Sequence, residues 1–538
     1  MNVKTYLVTA TPPTTNGDLH VGHLSGPYLA ADVFSRYQKM QQNHVVYLSG
    51  GDDHQSYVVT TSKRLGTSPE RLIKKQTENI LSTFQAANIE LDGFINSLGN
   101  REYIQFVQNF FLEMYEKGLL KEKTEPIHYC NQCQTYLFES HIKGKCPYCY
   151  EVAAGNLCEA CGRVNRPVEL IDSYCSSCES PPQITQYRGL FLPIDQYRTA
   201  LQSFYNSRKS WRPHLKALCQ WITDQPIPDY PVTYPADWGI RVPVQGFEDQ
   251  VINVWFEMYP GHIYSALQWA QLYDHPHLNP TNKDTTFVQF LGYDNSFFNA
   301  VLHVTASLAL DGKYIYPDHV ITNEFYLLEN EKFSTSRGHA IWGREIFEEV
   351  PSDALRYYLC RTNPEFMQTN FSKRAFERMM QNELKPLVET LERFGDLLDS
   401  DFPHGLLLEP QKLDLQTKGC LEWVKKGMET YLDIHSFSLY QSSAVLRDYS
   451  QAIQSYFNRY VLPMRSTNVT AYRDRLISTG FMFYGLVYFA YPIMPEFSTQ
   501  LCKSLGMPSQ PLKWSHVESL EPIPLSFHKE CIPFGGFK

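Results

Sequence analysis

Eight cysteines arranged as four CxxC pairs are the feature that most constrains the fold of this chain. The pairs fall within 49 residues and are Cys130/Cys133, Cys146/Cys149, Cys158/Cys161 and Cys175/Cys178. A two-residue spacing lets a tight turn aim both thiolates at one tetrahedral ion, so two pairs complete a four-cysteine zinc site. We expect the inner pairs to share one Zn²⁺ and the outer pairs another. Four thiolates leave no open coordination position, so both sites are predicted to be structural.

Other interpretations of these cysteines fit the sequence less well. A redox motif needs one CxxC pair, and four are present. A disulfide-rich loop needs an oxidising compartment, whereas the N-terminal MNVKTYLVTATPP lacks the apolar core of a signal peptide. The most apolar stretch, 481–494, is too short to span a bilayer. The sequence therefore predicts a cytoplasmic protein with no membrane partner.

Length and charge set broad limits on function. The 538 residues correspond to about three or four domains. With 48 basic and 57 acidic side chains the net charge is −9, which does not support a generally cationic nucleic-acid binder. A local basic groove remains open, because net charge averages over the whole surface.

The order of predicted elements indicates an α/β fold. A buried strand at 4–10 precedes a breaker-rich run, a helix from Val21 to Met40 and a second strand from His44 to Ser49. This order predicts a doubly wound, Rossmann-type parallel sheet. Further predicted segments are helices at 68–88, 101–118 and 352–360, and sheet segments at 251–258, 287–292 and 319–325. The cysteine-rich block and the Pro-, Trp- and Tyr-rich region after it indicate an insertion into the sheet domain, and long helices dominate from about 374 to 505.

Two loops carry residues suited to phosphate chemistry. The segment from Gly17 to His23 follows a strand and opens a helix, whose N-terminal N–H groups favour an anion. His20 and His23 lie on one face of its first turn, although alone this pattern also fits a surface helix start. The loop KFSTSRG, 332–338, offers a lysine, hydroxyls and an arginine to a triphosphate, and alone also fits a solvated surface loop.

Together the two loops resemble the HIGH and KMSKS signatures of class I aminoacyl-tRNA synthetases, and most of the chain resembles the methionyl-tRNA synthetase family. The motifs that carry this resemblance, in the family's order, are TPPTTNGDLHVGH, SGGDDH, the double CxxC block, NVWFE, FLGYD, EKFSTSRG and SDALRYYL. The resemblance implies a ligase. An amino-acid carboxylate attacks the α-phosphate of ATP, and the acyl group then passes from the adenylate to a hydroxyl acceptor, which in the family is tRNA. The implied cofactors are ATP, Mg²⁺ and two structural Zn²⁺.

The resemblance also implies roles for particular residues. Catalysis is assigned to His20, His23 and Lys332. The residues expected to bind ATP are Asn16, Gly17, Gly22, Gly292, Asp294, Ser334, Ser336 and Arg337. Those expected to bind the amino acid are Pro12, Thr14, Asp52, Trp255, Met258, Tyr259, His262 and Asn299.

The predicted domain organisation follows the same family. Residues 1–120 and 247–330 form the two halves of the Rossmann catalytic domain, and 121–246 form a connective insertion with the double zinc knuckle at about 128–180. Residues 331–373 carry the KMSKS-like loop and a stem-contact region. Residues 374–538 form an α-helical domain that resembles the anticodon-binding domain.

The sequence departs from the family at positions that, by the resemblance, form the pocket for methionine. Thr14 replaces a tyrosine, Met258 a small alanine, His262 a tyrosine and Asn299 a histidine. A thioether favours an apolar pocket, so these polar and bulky residues predict a different amino acid, with sequence drift around a retained methionine as the alternative.

Further departures affect tRNA recognition and phosphate contacts. Our alignment places Thr390 and Phe394 where the family has an Asn and an Arg that read the anticodon, with Arg393 one residue away, and no Trp follows the NRYV segment. Thr335 replaces the second lysine of KMSKS, and Tyr234 replaces an arginine. A missing positioned cation can cost about a hundredfold in rate.

Three functional hypotheses follow. The first and preferred one is a paralogue that activates a non-methionine amino acid for a small-molecule acceptor in natural-product biosynthesis, with any second step performed by a separate partner enzyme. The second is a methionine–tRNA ligase. The third is a catalytically inactive binding protein, against which the retained His20, His23 and Asp52 argue.

Overall fold

A five-stranded parallel sheet organises the N-terminal half of the protein. The computed structural model describes residues 3–275, 278–332, 341–508 and 511–535. Across the sheet the strands run in the order His319–Asn323, Thr285–Gly292, Thr5–Ala10, His44–Gly51 and Gly93–Asn96, with every pair parallel. Strand order reverses between Thr5–Ala10 and Thr285–Gly292, and ligands bind outside the carboxyl ends of strands at such a point. The predicted α/β class with a doubly wound parallel sheet is confirmed.

The strands are apolar because the sheet is covered on both faces. Leu7, Val46 and Phe287 are fully buried and belong to the same hydrophobic core. Near-continuous apolar runs of this kind are typical of parallel strands, and the sequence predicted four of the five strands, all except Gly93–Asn96.

The chain divides into two compact units. The first contains residues 1–19, 44–82 and 91–323, and the second contains 20–43, 83–90 and 324–538. Helices that lie in the first unit are Ser56–Leu65, Arg101–Glu116, Arg198–Ser207, Pro213–Thr223, Val254–Leu272 and His303–Ala309, and the helix Pro69–Ala86 begins there.

The insertion in the first unit is mainly antiparallel. One sheet contains the strands Tyr230–Pro231, Gln183–Leu192, Lys121–Cys130 and Thr135–Leu137 in that order. A second sheet lies within the cysteine-rich block and contains Val152–Ala154, Ile142–Lys145 and Ile171–Cys175. These short strands hold the CxxC turns.

The predicted sheet segment at 251–258 is wrong. Only Gln250–Ile252 is a strand, and it pairs antiparallel with Thr233–Pro235, outside the parallel sheet. Asn253 then caps a helix, Val254–Leu272, by accepting the Trp255 N–H at 3.0 Å. The apolar run is buried on every side, and periodicity alone does not separate a buried helix from a buried strand.

The helix predicted from Val21 to Met40 is interrupted. A short helical turn, Val21–His23, leads into a π-type turn, Leu24–Tyr28, and the regular helix is Leu29–Met40. Gly26 has non-helical angles of φ −90° and ψ −115°, and Pro27 has no N–H to donate. The Gly-Pro pair therefore separates the His20 turn from the long helix.

The rest of the second unit is largely helical, as predicted beyond residue 374. Its further helices are Gly343–Glu349, Ser352–Arg361, Lys373–Met379, Lys385–Asp401, Leu415–Leu432, Leu439–Tyr456, Val469–Ala490, Pro495–Ser504 and Ser515–Glu518. Its strands are Tyr326–Leu328, Glu331–Lys332 and Thr369–Phe371 in one sheet and Leu406–Leu408 with Ile523–Leu525 in another. In the described ranges, no helix combines the length and the hydropathy that a bilayer span requires.

A buried ionic network joins separated segments of the second unit. Arg356 donates to Asp32 Oδ2 at 2.6 Å and to the Ala87 and Ile493 carbonyls at 3.0 and 2.8 Å. Arg36 contacts the same carboxylate oxygen at 2.9 Å. Breaking a buried pair leaves an uncompensated charge and costs about 3–5 kcal/mol, so Arg356 fixes the helix after the first signature to the helical domain.

Candidate active site

His20 and His23 cap each other at the start of the helix. The backbone N–H of His23 donates to His20 Nδ1, and that of His20 donates to His23 Nδ1, both at 3.3 Å. The two rings stack with centroids 3.7 Å apart and planes 16° from parallel. Because each Nδ1 accepts a hydrogen bond, each neutral ring carries its proton on Nε2.

The electrostatics keep both rings neutral. Burial and then the neighbouring His23 lower the pKa of His20 to about 2. Desolvation lowers the pKa of His23 to about 4, although its surface is more open to solvent than that of His20. The pair therefore presents two neutral Nε2–H donors, which suits charge that develops on phosphate oxygens.

The chain beyond the second signature lies against this histidine turn. The Val21 N–H donates to the Ile341 carbonyl at 3.0 Å, and the His20 and Trp342 rings are 6.5 Å apart. Lys332 ends the strand Glu331–Lys332, and its side chain lies outside the described residues. The same holds for the predicted ATP-binding residues Ser334, Ser336 and Arg337, and for Thr335.

The two aspartates of the acidic turn have different environments. Asp53 accepts hydrogen bonds from Thr15 Oγ1 and from the Ser97 and Leu98 N–H groups at 2.9–3.0 Å, so it holds the loop together. Asp52 accepts a side-chain hydrogen bond from Thr14 Oγ1 at 3.2 Å and lines a cavity. The structure thus separates a carboxylate that holds the loop from one that lies in a cavity wall.

The cavity lined by Asp52 lies in the first unit and has a volume of about 40 Å³. It is named the amino-acid cavity after the predicted amino-acid-binding residues in its wall. It brings together four residues predicted to bind the amino acid, namely Pro12, Asp52, Met258 and His262. Polar residues that share the cavity are Ser49, Ser97, Tyr103, Glu257 and Ser265. Burial lowers the pKa of His262 to about 4, so it is a neutral group in the wall.

Glu257 is a cavity residue that the sequence interpretation missed. Its Oε1 lies 2.8 Å from His54 Nδ1 and accepts a hydrogen bond from the Tyr103 hydroxyl at 3.0 Å. Its Oε2 is buried and has no hydrogen-bond partner in the described parts of the chain. Glu257 could have been predicted from its place in the NVWFE motif, between the predicted residues Trp255 and Met258.

Two carboxylates, Asp52 and Glu257, line the amino-acid cavity. Burial and the charge of Glu257 raise the pKa of Asp52 well above its usual range. The two carboxylates therefore lie close to each other, and in the described ranges the cationic partner of Glu257 is His54. An ammonium group would relieve this strain, since an opposite charge favours the ionised carboxylate.

Four other predicted amino-acid residues do not line this cavity. Thr14 acts through its bond to Asp52, whereas Trp255 stacks on Phe298 with ring centroids 3.8 Å apart. Tyr259 is a core residue that donates to the Ile315 carbonyl at 2.9 Å. Asn299 is buried and donates to the Asn295 carbonyl at 3.0 Å.

The residues predicted to bind ATP lie on different elements: Asn16 and Gly17 in a turn, Gly22 in the helical turn Val21–His23, and Gly292 and Asp294 at and just after a strand end. Asn16, Gly17 and Gly22 are partly exposed. Gly292 ends a sheet strand, and a Cβ there would lie 2.5 Å from Asp294 Oδ1. Burial and then Glu159 raise the pKa of Asp294 to about 7, so this carboxyl group can both accept from and donate to a ribose hydroxyl near neutral pH.

The cysteines form the two groups that their spacing predicts. The sulfur atoms of Cys130, Cys133, Cys175 and Cys178 lie within 4.8 Å of one another, as do those of Cys146, Cys149, Cys158 and Cys161. Thiolate sulfur is a preferred ligand of Zn²⁺, and four such ligands close a tetrahedral site. Each donor set therefore fits one structural zinc.

The residues aligned with the family's anticodon readers do not face solvent. Thr390 is 3% exposed and Phe394 is fully buried, so neither can contact a base. Arg393 is exposed, donates to Asn458 Oδ1 at 3.0 Å and lies over the Phe457 ring. Next to these two buried positions the exposed residue is Arg393, one residue from the alignment.

Tyr234 cannot replace the charge of the family arginine. It is buried, and its ring stacks on Phe138 with centroids 4.4 Å apart. Burial raises the pKa of its hydroxyl well above the usual range, so it stays neutral.

Comparison with known proteins identifies relatives of this chain. Residues 6–394 match the family model described as tRNA synthetases class I (M). The chain is 30% identical over 456 residues to a methionine–tRNA ligase of Bacteroides fragilis, which covers 82% of this chain and 66% of that protein, or just under two thirds of its length. It is 27% identical over 538 residues to the methionine–tRNA ligase of Thermoplasma acidophilum, covering 98% and 96% of the two chains.

A solved structure shows the same fold. Mycobacterium tuberculosis methionyl-tRNA synthetase bound by methionyl-adenylate superposes with a TM-score of 0.80 at 18% identity, over 99% of this chain and 100% of that one. On the match of the family model over most of its length, the chain belongs to the methionyl-tRNA synthetase family of class I tRNA synthetases.

Proposed function

We propose that this protein is an ATP-dependent ligase that activates an amino acid as its adenylate and transfers the acyl group to tRNA. The observation that carries the proposal is the amino-acid cavity, which is lined by two buried carboxylates, Asp52 and Glu257, and would favour an ammonium group. The mutually capped His20 and His23 supply neutral donors for phosphate. The five-part domain division given above is part of the same proposal.

In the proposed reaction, different residues bind the amino acid and stabilise the phosphate. Asp52 binds the α-ammonium group of the amino acid, and Thr14 holds that carboxylate in place. The amino-acid carboxylate oxygen attacks the α-phosphorus of ATP, and the bond to the bridging oxygen of pyrophosphate breaks. The Nε2–H groups of His20 and His23 donate to the phosphate oxygens as their charge increases.

The implied metals have separate roles. The two thiolate sets suit structural Zn²⁺. Mg²⁺ would accompany the phosphates of ATP and neutralise their charge, because this ion is usually held by substrate phosphates and few protein ligands.

Methionine is the first candidate substrate and tRNA the first candidate acceptor. Both are supported by the methionine–tRNA ligases that resemble this chain. The comparisons offer no support for the expected small-molecule acceptor, separate partner enzyme or natural-product pathway, and they favour the alternative of a methionine–tRNA ligase. Exposed Arg393 is available for an RNA contact.

One observation supports a second candidate function. The amino-acid cavity is lined by Met258, neutral His262 and Glu257, one oxygen of which has no hydrogen-bond partner in the described residues. A small polar wall of this kind favours a side chain that donates a hydrogen bond over a thioether. The second candidate therefore activates a non-methionine amino acid.

Amino-acid-dependent exchange of pyrophosphate into ATP tests these proposals. Zinc-loaded protein should support exchange with methionine and then charge methionine tRNA. Exchange with another amino acid alone would replace the first candidate by the second. Exchange with methionine but no tRNA charging would overturn the acceptor.

A further inference from the structure

A second, larger cavity lies in the first unit between the cysteine-rich block and the rest of the insertion. Its volume is about 520 Å³, and it shares no lining residue with the amino-acid cavity. Much of its wall is aromatic or proline, including Tyr187, Phe191, Trp221, Pro228, Tyr234 and Phe297. Volumes of this size are typical of sites for small molecules and cofactors.

The charged residues around this aromatic cavity leave one positive charge without an acidic partner. Lys123 pairs with Asp229 at 2.7 Å, and Arg166 pairs with Glu125 at 2.6 Å. Arg163 also lines the cavity, and in the described ranges it has no carboxylate partner. The wall also contains Glu169, 4.0 Å from Arg166, so its three cations and three carboxylates balance, and an anionic group is favoured locally at Arg163.

Aromatic contacts hold the Arg163 side chain. Its guanidinium carbon lies 4.1 Å from the ring centroid of Trp221 and 5.0 Å from that of Tyr148. Contacts with the faces of a guanidinium leave its in-plane N–H groups available, and these form paired hydrogen bonds with phosphate or carboxylate. Arg163 is thus a preorganised hydrogen-bond donor for an anion at the edge of the aromatic wall.

We propose that the aromatic cavity binds a nucleotide, with its base against the tyrosine and tryptophan rings and its phosphate on Arg163. Aromatic side chains stack on any base, and each stacked base contributes about 1–3 kcal/mol. The aromatic cavity, at about 520 Å³, is much larger than the amino-acid cavity, at about 40 Å³. It accommodates a ligand much larger than an amino-acid side chain. The nucleotide comes either from solution or from the single-stranded end of an RNA.

Equilibrium dialysis with CMP and with the RNA trinucleotide CCA tests this proposal. CMP is chosen because a pyrimidine avoids competition for an adenine site. The full-length, zinc-loaded protein should bind at least one of the two probes, and Arg163→Gln should weaken that binding by about tenfold or more. Trp221→Leu should weaken it to a similar extent, through lost stacking.

Arg188→Gln is the matched control. Arg188 is also an arginine of the insertion and lies over the ring of Phe247, but it pairs with Glu122 and does not line the cavity. This variant should bind the probe as the wild type does. Zinc content and circular dichroism show whether each variant is folded.

The outcomes distinguish the sources and can overturn the proposal. CMP binding that is weakened in Arg163→Gln supports a free nucleotide, and CCA binding without CMP binding supports an RNA end when Arg163→Gln weakens it. Lack of binding by both probes at millimolar concentration, or equal binding by folded Arg163→Gln, would contradict the proposal. Amino-acid-dependent pyrophosphate exchange is measured in parallel, so failure of this site is distinguished from failure of the proposed function.

Discussion

His54 Nδ1 lies 2.8 Å from Oε1 of Glu257, a residue of the amino-acid cavity wall, and both side chains are buried. Burial opposes a charge on the imidazole, but the adjacent carboxylate outweighs it and raises the pKa of His54. This pair stabilises the fold fully below the ordinary histidine pKa of 6.5, and the stabilisation is lost as pH rises through the raised value. The pair fixes Glu257 Oε1, whereas Oε2 is buried and has no hydrogen-bond partner in the described residues.

Replacement of Glu257 by glutamine should lower the pKa of His54. The amide keeps the shape but removes the charge, so desolvation is no longer offset. Histidine-selective NMR titration, assigned with His54→Gln, measures this pKa directly. Glu248→Gln is the control, since Glu248 lies on the surface. An unchanged His54 pKa in Glu257→Gln would contradict the pairing.

Asp52→Asn should weaken amino-acid binding and stabilise the unliganded protein. A lost charge-assisted hydrogen bond costs about 1.5–3 kcal/mol, which corresponds to a KM roughly 10–150 times higher. Because burial raises the pKa of Asp52, its ionised form is costly without ligand, and the neutral amide removes this cost. Pyrophosphate-exchange kinetics and the Tm of the free protein measure the two effects.

The adjacent aspartate provides the contrast. Asp53→Asn should lower the Tm, because Asp53 accepts several buried hydrogen bonds. A lower Tm for Asp52→Asn, or a KM equal to that of the wild type, would remove Asp52 from the proposed ammonium site.

His23→Ala should reduce activation about 10²–10³-fold, the usual effect of removing one transition-state donor. His23→Gln should retain more activity, because its amide nitrogen can reach the position of Nε2. The rate of pyrophosphate exchange compares the two variants, and circular dichroism checks their fold. Equal loss in both variants would show that the cap at Nδ1, rather than the Nε2 donor, is what matters.

Cys146→Ser and Cys130→Ser should each reduce zinc content from two ions per chain to one, because they belong to different sulfur sets. Cys219→Ser, outside both sets, should keep two ions. Elemental analysis of purified protein measures the ratio. Two ions in Cys146→Ser, or one in Cys219→Ser, would contradict the assignment.

Arg393→Ala should raise the KM for tRNA about tenfold or more if the helical domain contacts the anticodon. Thr390→Ala should leave it unchanged, since Thr390 is buried. Charging kinetics over a range of tRNA concentrations provide the measurement. A normal KM for Arg393→Ala would separate this helix from tRNA recognition.

The sequence predicted the features that depend on local pattern. The apolar strands, the loop around His20 and His23, and the cysteine spacing are of this kind, and the structure contains the expected sheet and cysteine groups. It did not predict the Gly26–Pro27 interruption or the helix at Val254–Leu272. The role of Glu257 was also missed, since it depends on contacts with His54 and Tyr103, which are more than 150 residues away.

Isolation of an enzyme-bound adenylate tests the central claim most directly. Zinc-loaded protein would be mixed with ATP, Mg²⁺, methionine and pyrophosphatase without tRNA, and the bound product identified by mass spectrometry. The proposed function predicts about one equivalent of methionyl-adenylate per active site, and much less in His23→Ala. Absence of an adenylate with methionine and with every other amino acid tested would contradict amino-acid activation by this protein.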